Sequence, residues 1–291
     1  MMPRTASLDA PPALAASADE APPPQDGWPG GLPALRAELD RIDDALHALL
    51  MERARVVEQV AKSGKRGAYR PGREASIIRR LLRRHSGSLP AQAIVRIWRE
   101  LLAGTTAMQG QFRVAVCETG DGGVLSQAAR EHFGALTPLH ACTNANQTMA
   151  EVSCGTASVA VLPMPSEAKA WWTEVPQGVR VVARLPFWAA RPDGAAAAQA
   201  LVIATTEPDP SGVDRSLLDL ELGPDVNQPH LVAALTGAGF APGMMVLCRD
   251  HALAEVDGFV TDDDPRLTRL NGLRRPVVLG AYAIPETEGA A

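Results

Sequence analysis

The sequence predicts a protein of several domains, in which an all-α module of three helices precedes an α/β domain and a small α+β domain. Apolar residues first recur at alternating four- and three-residue steps, and after Gly110 they form short runs between helical stretches. At 291 residues the chain is long enough for two or three domains. Its charge also divides: residues 32–110 carry 15 Lys and Arg against 8 Asp and Glu, whereas residues 111–291 carry 12 against 21.

The first 30 residues are rich in Ala, Pro and acidic side chains and show no periodicity. Such a segment cannot bury enough apolar surface to offset the entropy of ordering, so we expect a disordered tail. It contains no apolar stretch typical of a signal peptide, and no later segment reaches the ~18 uninterrupted apolar residues of a membrane span. These features predict a cytoplasmic protein that does not contact a membrane.

Residues 31–110 predict three helices. The first has an apolar seam that should end near Ser63 and Gly64, where Gly favours a helix stop. Its seam consists of Leu35, Leu39, Ile42, Leu46, Leu49, Arg53, Val56 and Val60. The second runs from about Pro71 to His85 and has an apolar side of Ile77, Ile78, Leu81 and Leu82. The third runs from about Pro90 to Gln109 with a seam of Ile94, Trp98, Leu101, Thr105 and Met108.

Residues 111–212 alternate short apolar runs with helical segments, which predicts an α/β domain. Residues 213–291 predict a small βαββαβ unit. Its elements, in chain order, are LLDLEL, HLVAALTGAGF, MMVLCRD, DGFVT, DPRLTRL and VVLGAYA. Four widely spaced cysteines form no CxxC pair and no cluster at metal-ligand spacing, which predicts reduced core thiols and no metal site.

Polar residues on the apolar faces of the helices are candidates for chemistry. Arg53 falls on the first seam, where an unpaired charge would be costly, so it needs a structural acid or a bound anion as its partner. Thr105 and Gln109 lie one turn apart and face the same way, as site residues or as polar residues at a helix end. Arg73 opposes the helix macrodipole in a first turn, so either Glu74 or an anionic ligand should balance it.

Three stretches, LRAELDRIDDALHALLMERARVVEQVA, YRPGRE and IWRELLAGTTAMQ, resemble the all-helical (type II) chorismate mutases in the same order along the chain. The resemblance covers about residues 32–109 and includes the mutase module of bifunctional chorismate mutase–prephenate dehydratases. It implies conversion of chorismate to prephenate in an intertwined homodimer, with no cofactor. Each active site of that family receives one arginine from the first helix of the partner.

The resemblance implies a role for each matching residue. Arg36 would be the partner's arginine, Arg53 would hold a substrate carboxylate, and Arg73 would assist at the charged face. Glu74 would bind the ring hydroxyl, while Gln109 would contact the ether oxygen together with a lysine. Thr105 stands where the family usually has Ser. Gly64 occupies the position of the family's lysine, so the role shifts to Lys65 or to Lys62, and Arg70 replaces an Asp that is common before Pro.

The later region resembles a prephenate dehydratase domain followed by an ACT-like regulatory domain, through GDGGVLSQAAREHFG and SVAVLPMPSE. The Thr-Arg-Phe motif that carries dehydration in that family should precede LVI, but this chain has Ala198, Gln199 and Ala200 there. We therefore expect a mutase without dehydratase activity, and the ACT-like part lacks clear effector-binding motifs.

Two other functions fit the sequence. The first is a regulatory protein that binds a small acid, its helical module inactivated by Gly64 and Arg70. The second is a nucleic-acid-binding module that uses RRLLRRH to follow phosphates. Against the second, Arg36 and Arg53 lie on or beside the packing seam and no aromatic residues interleave the basic run. We therefore expect no nucleic-acid partner.

Overall fold

The computed structural model describes residues 31–63, 69–118, 120, 122–191, 198–223, 226–270 and 273–287, so the predicted tail lies outside the described residues. The helices are α1 Gly31–Lys62, α2 Pro71–Arg84, α3 Ala91–Ala107, α4 Val124–Phe133, α5 Ala145–Ser153 and α6 Gln228–Ala238. The strands are β1 Val114–Cys117, β2 Leu139–Cys142, β3 Val159–Pro163, β4 Arg180–Leu185, β5 Ala200–Ala204, β6 Asp214–Glu221, β7 Pro242–Cys248, β8 His251–Asp257 and β9 Arg274–Ala283. Within this described part, no helix is long and apolar enough to cross a membrane.

The chain divides after Val56 into two compact units, and the first contains most of α1. This helix confirms the predicted first helix, ending one residue before Ser63. None of its 32 residues is buried. The seam side chains Leu39, Leu46 and Leu49 are 60%, 54% and 57% exposed. The helix therefore carries an uncovered apolar stripe along most of its length.

The second unit begins with the end of α1 and contains α2 and α3, both near their predicted bounds. Pro71 stands in the first turn of α2, where its missing N–H costs no hydrogen bond. The buried stripe of α3 differs from the predicted seam by one residue and consists of Val95, Arg99, Leu102, Thr105 and Thr106. This shift arises because α3 packs against α4 as well as α2. Consequently Trp98 is only half-buried and Met108 is exposed.

A single nine-stranded sheet forms the core of the second unit, in the order β2-β1-β3-β5-β4-β9-β6-β8-β7. Strand β1 is parallel to both β2 and β3, and α4 and α5 cover opposite faces of this part. Strands β4 and β9 are paired in parallel through Val181 and Gly280. This pairing joins the first five strands of the chain to the antiparallel strands β6 to β9. The sheet thus runs across the expected boundary between residues 212 and 213.

Two elements expected near the C-terminus are wrong. The strand expected in DGFVT lies earlier, in β8, and residues 258–261 form a loop after Gly258, whose φ of +93° ends the strand. A hydrogen bond holds this loop in place, in which the backbone N–H of Val260 donates to Ser216 Oγ at 2.8 Å. The helix expected in DPRLTRL is a single 3-10 turn, Leu267–Arg269. This stretch follows Pro265 and precedes an Asn-Gly pair, which leaves too few residues for an α-helix.

The N-terminus of α2 is held by a loop that follows β5. Asp209 accepts hydrogen bonds from the backbone N–H groups of Gly72 (2.9 Å) and Arg73 (3.1 Å), which have no partner inside the helix. Further along α2, the buried Arg79 donates to Ser211 Oγ at 2.7 Å and forms an ion pair with Glu286. A Cβ atom at position 72 would lie 2.0 Å from the backbone oxygen of Asp209. Only glycine permits this approach.

We expect Gly72→Ala to lower the free energy of unfolding by about 3 kcal/mol, because the added methyl group meets backbone rather than a flexible side chain. Gly104→Ala in α3 is the matched control, since a Cβ there meets nothing within 4 Å. The control should raise stability by up to about 1 kcal/mol through helix propensity. Urea denaturation measures both, and equal effects of the two substitutions would contradict the close approach at Gly72.

Candidate active site

Glu74 lies in the first turn of α2 and is buried, with 9% of its surface exposed. Its Oε2 atom is 3.1 Å from Nη1 of Arg99, which projects from the middle of α3. Sequence reasoning missed Arg99. The signal that could have identified Arg99 is its position inside an apolar stripe, one turn after Val95 and three residues before Leu102. A charge at such a position requires a partner, and here the partner is the predicted site residue Glu74.

Two neutral groups border this ion pair. The Nε2 atom of His132 lies 3.4 Å from both Nη1 of Arg99 and the hydroxyl of Tyr69. Arginine can only donate, so Nε2 is assigned as the acceptor and Nδ1 carries the proton of a neutral ring. Burial, with a further contribution from Arg99, lowers the pKa of His132 well below its ordinary value. Burial also raises the pKa of Tyr69 and lowers that of Arg99.

Arg73 is exposed in the first turn of α2. The carboxylate of Asp209 lies at the same helix end, where it accepts a hydrogen bond from the backbone N–H of Arg73 and forms an ion pair with Arg70 at 3.2 Å. An acid at a helix N-terminus is favoured by the macrodipole. Asp209 therefore offsets part of the positive potential that surrounds Arg73.

Thr105 and Gln109 lie one turn apart near the end of α3, as predicted. The hydroxyl of Thr105 is directed at the carbonyl oxygens of Leu101 and Leu102, both at 3.0 Å. The side-chain amide of Gln109 donates to the carbonyl oxygen of Thr105 at 3.1 Å. These contacts fix both side chains on one face of the helix.

The remaining predicted site residues belong to α1 or lie near its end. Arg36 is exposed and Arg53 is half-buried, and both belong to the first unit. Lys62 is exposed at the last position of the helix. Lys65 lies outside the described residues.

Three side chains could together hold a metal ion. One ligand atom from each of His140, Cys142 and Glu151 lies within 4.8 Å of the others. A thiolate, an imidazole and a carboxylate are donors that zinc accepts. Sequence spacing could not find this cluster, because β2 and α5 bring it together. All four cysteines of the chain are free thiols, but only Cys117 and Cys142 are buried, and the prediction of a core thiol is wrong for the exposed Cys154.

The position of the expected dehydration motif is occupied by an internal network. Gln199 accepts a hydrogen bond from Nη2 of Arg184 at 2.8 Å, and Ala200 is fully buried. Arg184 also forms an ion pair with Glu255 at 3.3 Å. The buried carboxylate of Glu255 binds Arg215 and Tyr282 as well. The cation beside Gln199 is thus already neutralised by a protein carboxylate.

An Arg-Glu pair in a helix first turn, and a Thr and a Gln one turn apart on a second helix, are residue types that can bind and orient a polar anionic molecule. Residues 35–110 match the chorismate mutase type II family, so this stretch of the chain is a domain of that isomerase family.

Its curated relatives are bifunctional chorismate mutase/prephenate dehydratases. The protein of Pseudomonas aeruginosa is 31% identical over 150 residues, and that of Stutzerimonas stutzeri is 29% identical over 147 residues. Each alignment covers 47% of this chain and 40% of the relative, so the chain spans less than half the length of these relatives. Among solved structures, prephenate dehydratase from Streptococcus mutans aligns with a TM-score of 0.42 and 11% identity, over 60% of this chain and 100% of that chain.

The neutral state of His132 predicts a loss of stability in acid. Its pKa is depressed in the folded protein, whereas in the unfolded chain it is near 6.5. As pH falls from about 7 to 5 the unfolded state gains a proton that the folded state does not, which destabilises the fold by up to about 2 kcal/mol. We expect His132→Gln, whose side-chain oxygen can still accept from Arg99, to reduce this decline.

Urea denaturation at both pH values measures the effect. Replacement of the exposed His230 by Gln is the control and should keep the wild-type pH dependence. An unchanged decline in His132→Gln would show that His132 is not the responsible group.

Proposed function

We propose that this protein is a chorismate mutase that converts chorismate to prephenate and requires neither cofactor nor metal. The observation that carries the proposal is the match of residues 35–110 to the chorismate mutase type II family. The family positions for the substrate hold Arg36, Arg53, Arg73, Glu74, Thr105 and Gln109. The reaction is a rearrangement within one molecule, so the protein needs to supply orientation and charge rather than a nucleophile.

In this proposal the cations hold the two carboxylates of the substrate in the compact conformer that reacts. Arg53 binds one carboxylate from its own chain, and Arg73 assists at the charged face. Gln109 and Lys65, or Lys62 in its place, donate to the ether oxygen as negative charge develops there. A millionfold acceleration requires about 8 kcal/mol of transition-state stabilisation, which several charge-assisted contacts in a dry pocket can supply.

The surroundings of Glu74 support its assignment to the ring hydroxyl. A carboxylate accepts hydrogen bonds, and the hydroxyl of chorismate can donate one. The contact with Arg99 at 3.1 Å orients the carboxylate of Glu74 before substrate arrives. Arg99 is therefore proposed as a positioning residue for Glu74.

A homodimer accounts for the apolar stripe of α1. None of the residues of that helix is buried, and a stripe of this length is unusual on a monomer. A second copy of the same seam would cover it, with four- and three-residue steps suited to helix pairing. In the dimer, Arg36 of each chain would complete the active site of the other.

We further propose that the protein does not dehydrate prephenate. Dehydration needs help for a departing hydroxyl, and neither Ala198 nor Gln199 provides an acidic hydroxyl or a positive charge. Arg184 beside Gln199 is paired with Glu255, so a substrate carboxylate would compete with a buried protein carboxylate. This competition disfavours binding of a dianion.

A second candidate is a catalytically weak homologue that regulates or binds a small acid. One observation favours it, namely that the carboxylate of Glu74 is already paired with Arg99. If this pair persists with substrate bound, Glu74 is less available to the ring hydroxyl.

One assay separates these functions. Purified protein incubated with chorismate at neutral pH should accelerate loss of chorismate and accumulate prephenate, without enzyme-dependent phenylpyruvate. A control without enzyme corrects for the spontaneous breakdown of prephenate. Unaccelerated loss of chorismate would support the weak homologue, whereas phenylpyruvate in proportion to enzyme would restore a bifunctional assignment.

We expect Arg53→Ala to lower kcat/KM at least about 100-fold, because it removes a charge-assisted contact to a substrate carboxylate. Arg55→Ala, two residues away and exposed, is the matched control and should retain activity. Near-normal turnover in Arg53→Ala would identify Arg53 as a structural residue of the seam.

The same variant tests the shared site. Arg36→Ala and Arg53→Ala should each be weak alone, and subunit exchange between them should restore activity. One of the two sites in the mixed dimer then contains both arginines. Failure of the mixture to recover, in a sample shown to exchange subunits, would argue against a contribution of Arg36 across the interface.

A further inference from the structure

A cavity of about 330 Å³ lies among α3, α4 and the segment that follows β4, and it shares Arg99 with the proposed mutase site. Its volume is at the lower end of the range for small-molecule sites. Its polar lining includes Arg96, Arg99 and Arg191, and its apolar lining includes Phe187 and Trp188.

The charges that line the cavity favour an anion. Three arginines face one carboxylate, that of Glu131, and the buried ring of His132 is neutral near pH 7. Arg191 holds Glu131 through two contacts of 3.1 and 3.0 Å, so these two charges offset each other. Arg99 is likewise paired with Glu74, which does not line the cavity, so Arg96 is the cation of the wall that remains, and Arg99 contributes the N–H groups of its Nε and Nη2 atoms.

Arg99 has N–H groups that do not contact Glu74 and could bind a ligand. Its side chain is 5% exposed, and Nη1 makes its contacts with Glu74 and His132. Its Nε and Nη2 atoms have no hydrogen-bond partner within the described residues. These two atoms are not among the buried polar atoms that lack a partner, so water in the cavity reaches them, and a carboxylate there would replace that water with charge-assisted hydrogen bonds.

The apolar wall suits a flat ring. Phe187 is 4% exposed, and the guanidinium carbons of Arg99 and Arg79 lie 5.0 and 5.6 Å from the centre of its ring, so a ligand would contact the edge of this ring. Trp188 is half-buried beside it. Aromatic side chains favour stacked or edge contacts with another ring.

We propose that this cavity binds a small carboxylate that carries an apolar ring and no ammonium group. The carboxylate lies between Arg96 and Arg99, and the ring packs on Phe187 and Trp188. An ammonium group is disfavoured because it would enter a site whose charge is already positive. Since Arg99 also forms an ion pair with Glu74, a ligand in the cavity would affect the orientation of the Glu74 carboxylate in the mutase site. That consequence rests on the proposed function, whereas binding itself does not.

Isothermal titration of the full chain with 3-phenylpropionate, without chorismate, tests the proposal. We expect 3-phenylpropionate to bind at least about tenfold more tightly than 3-phenylpropionamide, which lacks the charge, because charge-assisted hydrogen bonds are the stronger ones. L-phenylalanine, which adds an ammonium group, should also bind more weakly. Equal affinities for the acid and the amide, or no binding of the acid, would overturn the proposal.

Substitutions locate the site. Arg96→Ala and Trp188→Ala should each weaken binding about tenfold or more, through loss of a charge and of a ring contact respectively. Arg113→Ala removes an exposed arginine that does not line the cavity and should leave the affinity unchanged. An equal loss in Arg113→Ala would indicate attraction by overall charge.

Binding at the mutase site is distinguished with Arg53→Ala, which should still bind 3-phenylpropionate. If Arg53→Ala abolishes binding, the ligand occupies the mutase site and the proposal is wrong. If binding persists while chorismate turnover is absent in the wild type, the cavity proposal stands and the proposed function fails.

Discussion

The buried ion pair between Glu74 and Arg99 is the interaction on which the arrangement of α2 and α3 depends. It joins the first turn of one helix to the middle of the next, and both charges are removed from water. Loss of either partner would leave an uncompensated charge at a cost of about 3–5 kcal/mol. Burial keeps the neighbouring His132 and Tyr69 neutral by lowering the pKa of the first and raising that of the second, and the charges of the pair modify both shifts.

Elements that depend on local pattern could be predicted from the sequence. The seam of α1, Pro71 at the start of α2, and the alternation of apolar runs with helices after Gly110 each reflect a rule that acts within one or two turns or a single strand. Candidate site residues that match a family motif, such as Glu74 and Gln109, are likewise found from their positions along the chain. Their roles in the reaction stay predictions.

Features that depend on distant contacts could not be predicted. Asp209 holds the N-terminus of α2 from 137 positions away, and nothing in the local sequence links it to Gly72. The burial of Arg99 follows from the packing of α3 against both α2 and α4, which helical periodicity alone does not give. The strand expected in DGFVT was misplaced because HALAEVD, directly before it, has few bulky residues and a central Glu255 whose partners lie on other strands.

The contacts of α2 with Asp209, Ser211 and Glu286 decide whether the helical segment could fold without the rest of the chain. Residues 35–110 match a family by sequence, yet α2 and α3 share their apolar cluster with Phe187 of the sheet region. A polypeptide that ended at residue 110 would expose that cluster, leave Arg79 without its acceptors and lose the cap of α2. The end of the family match at residue 110 is therefore not a boundary at which the chain can be cut, and a transfer of this segment to another protein would require a new surface to cover it.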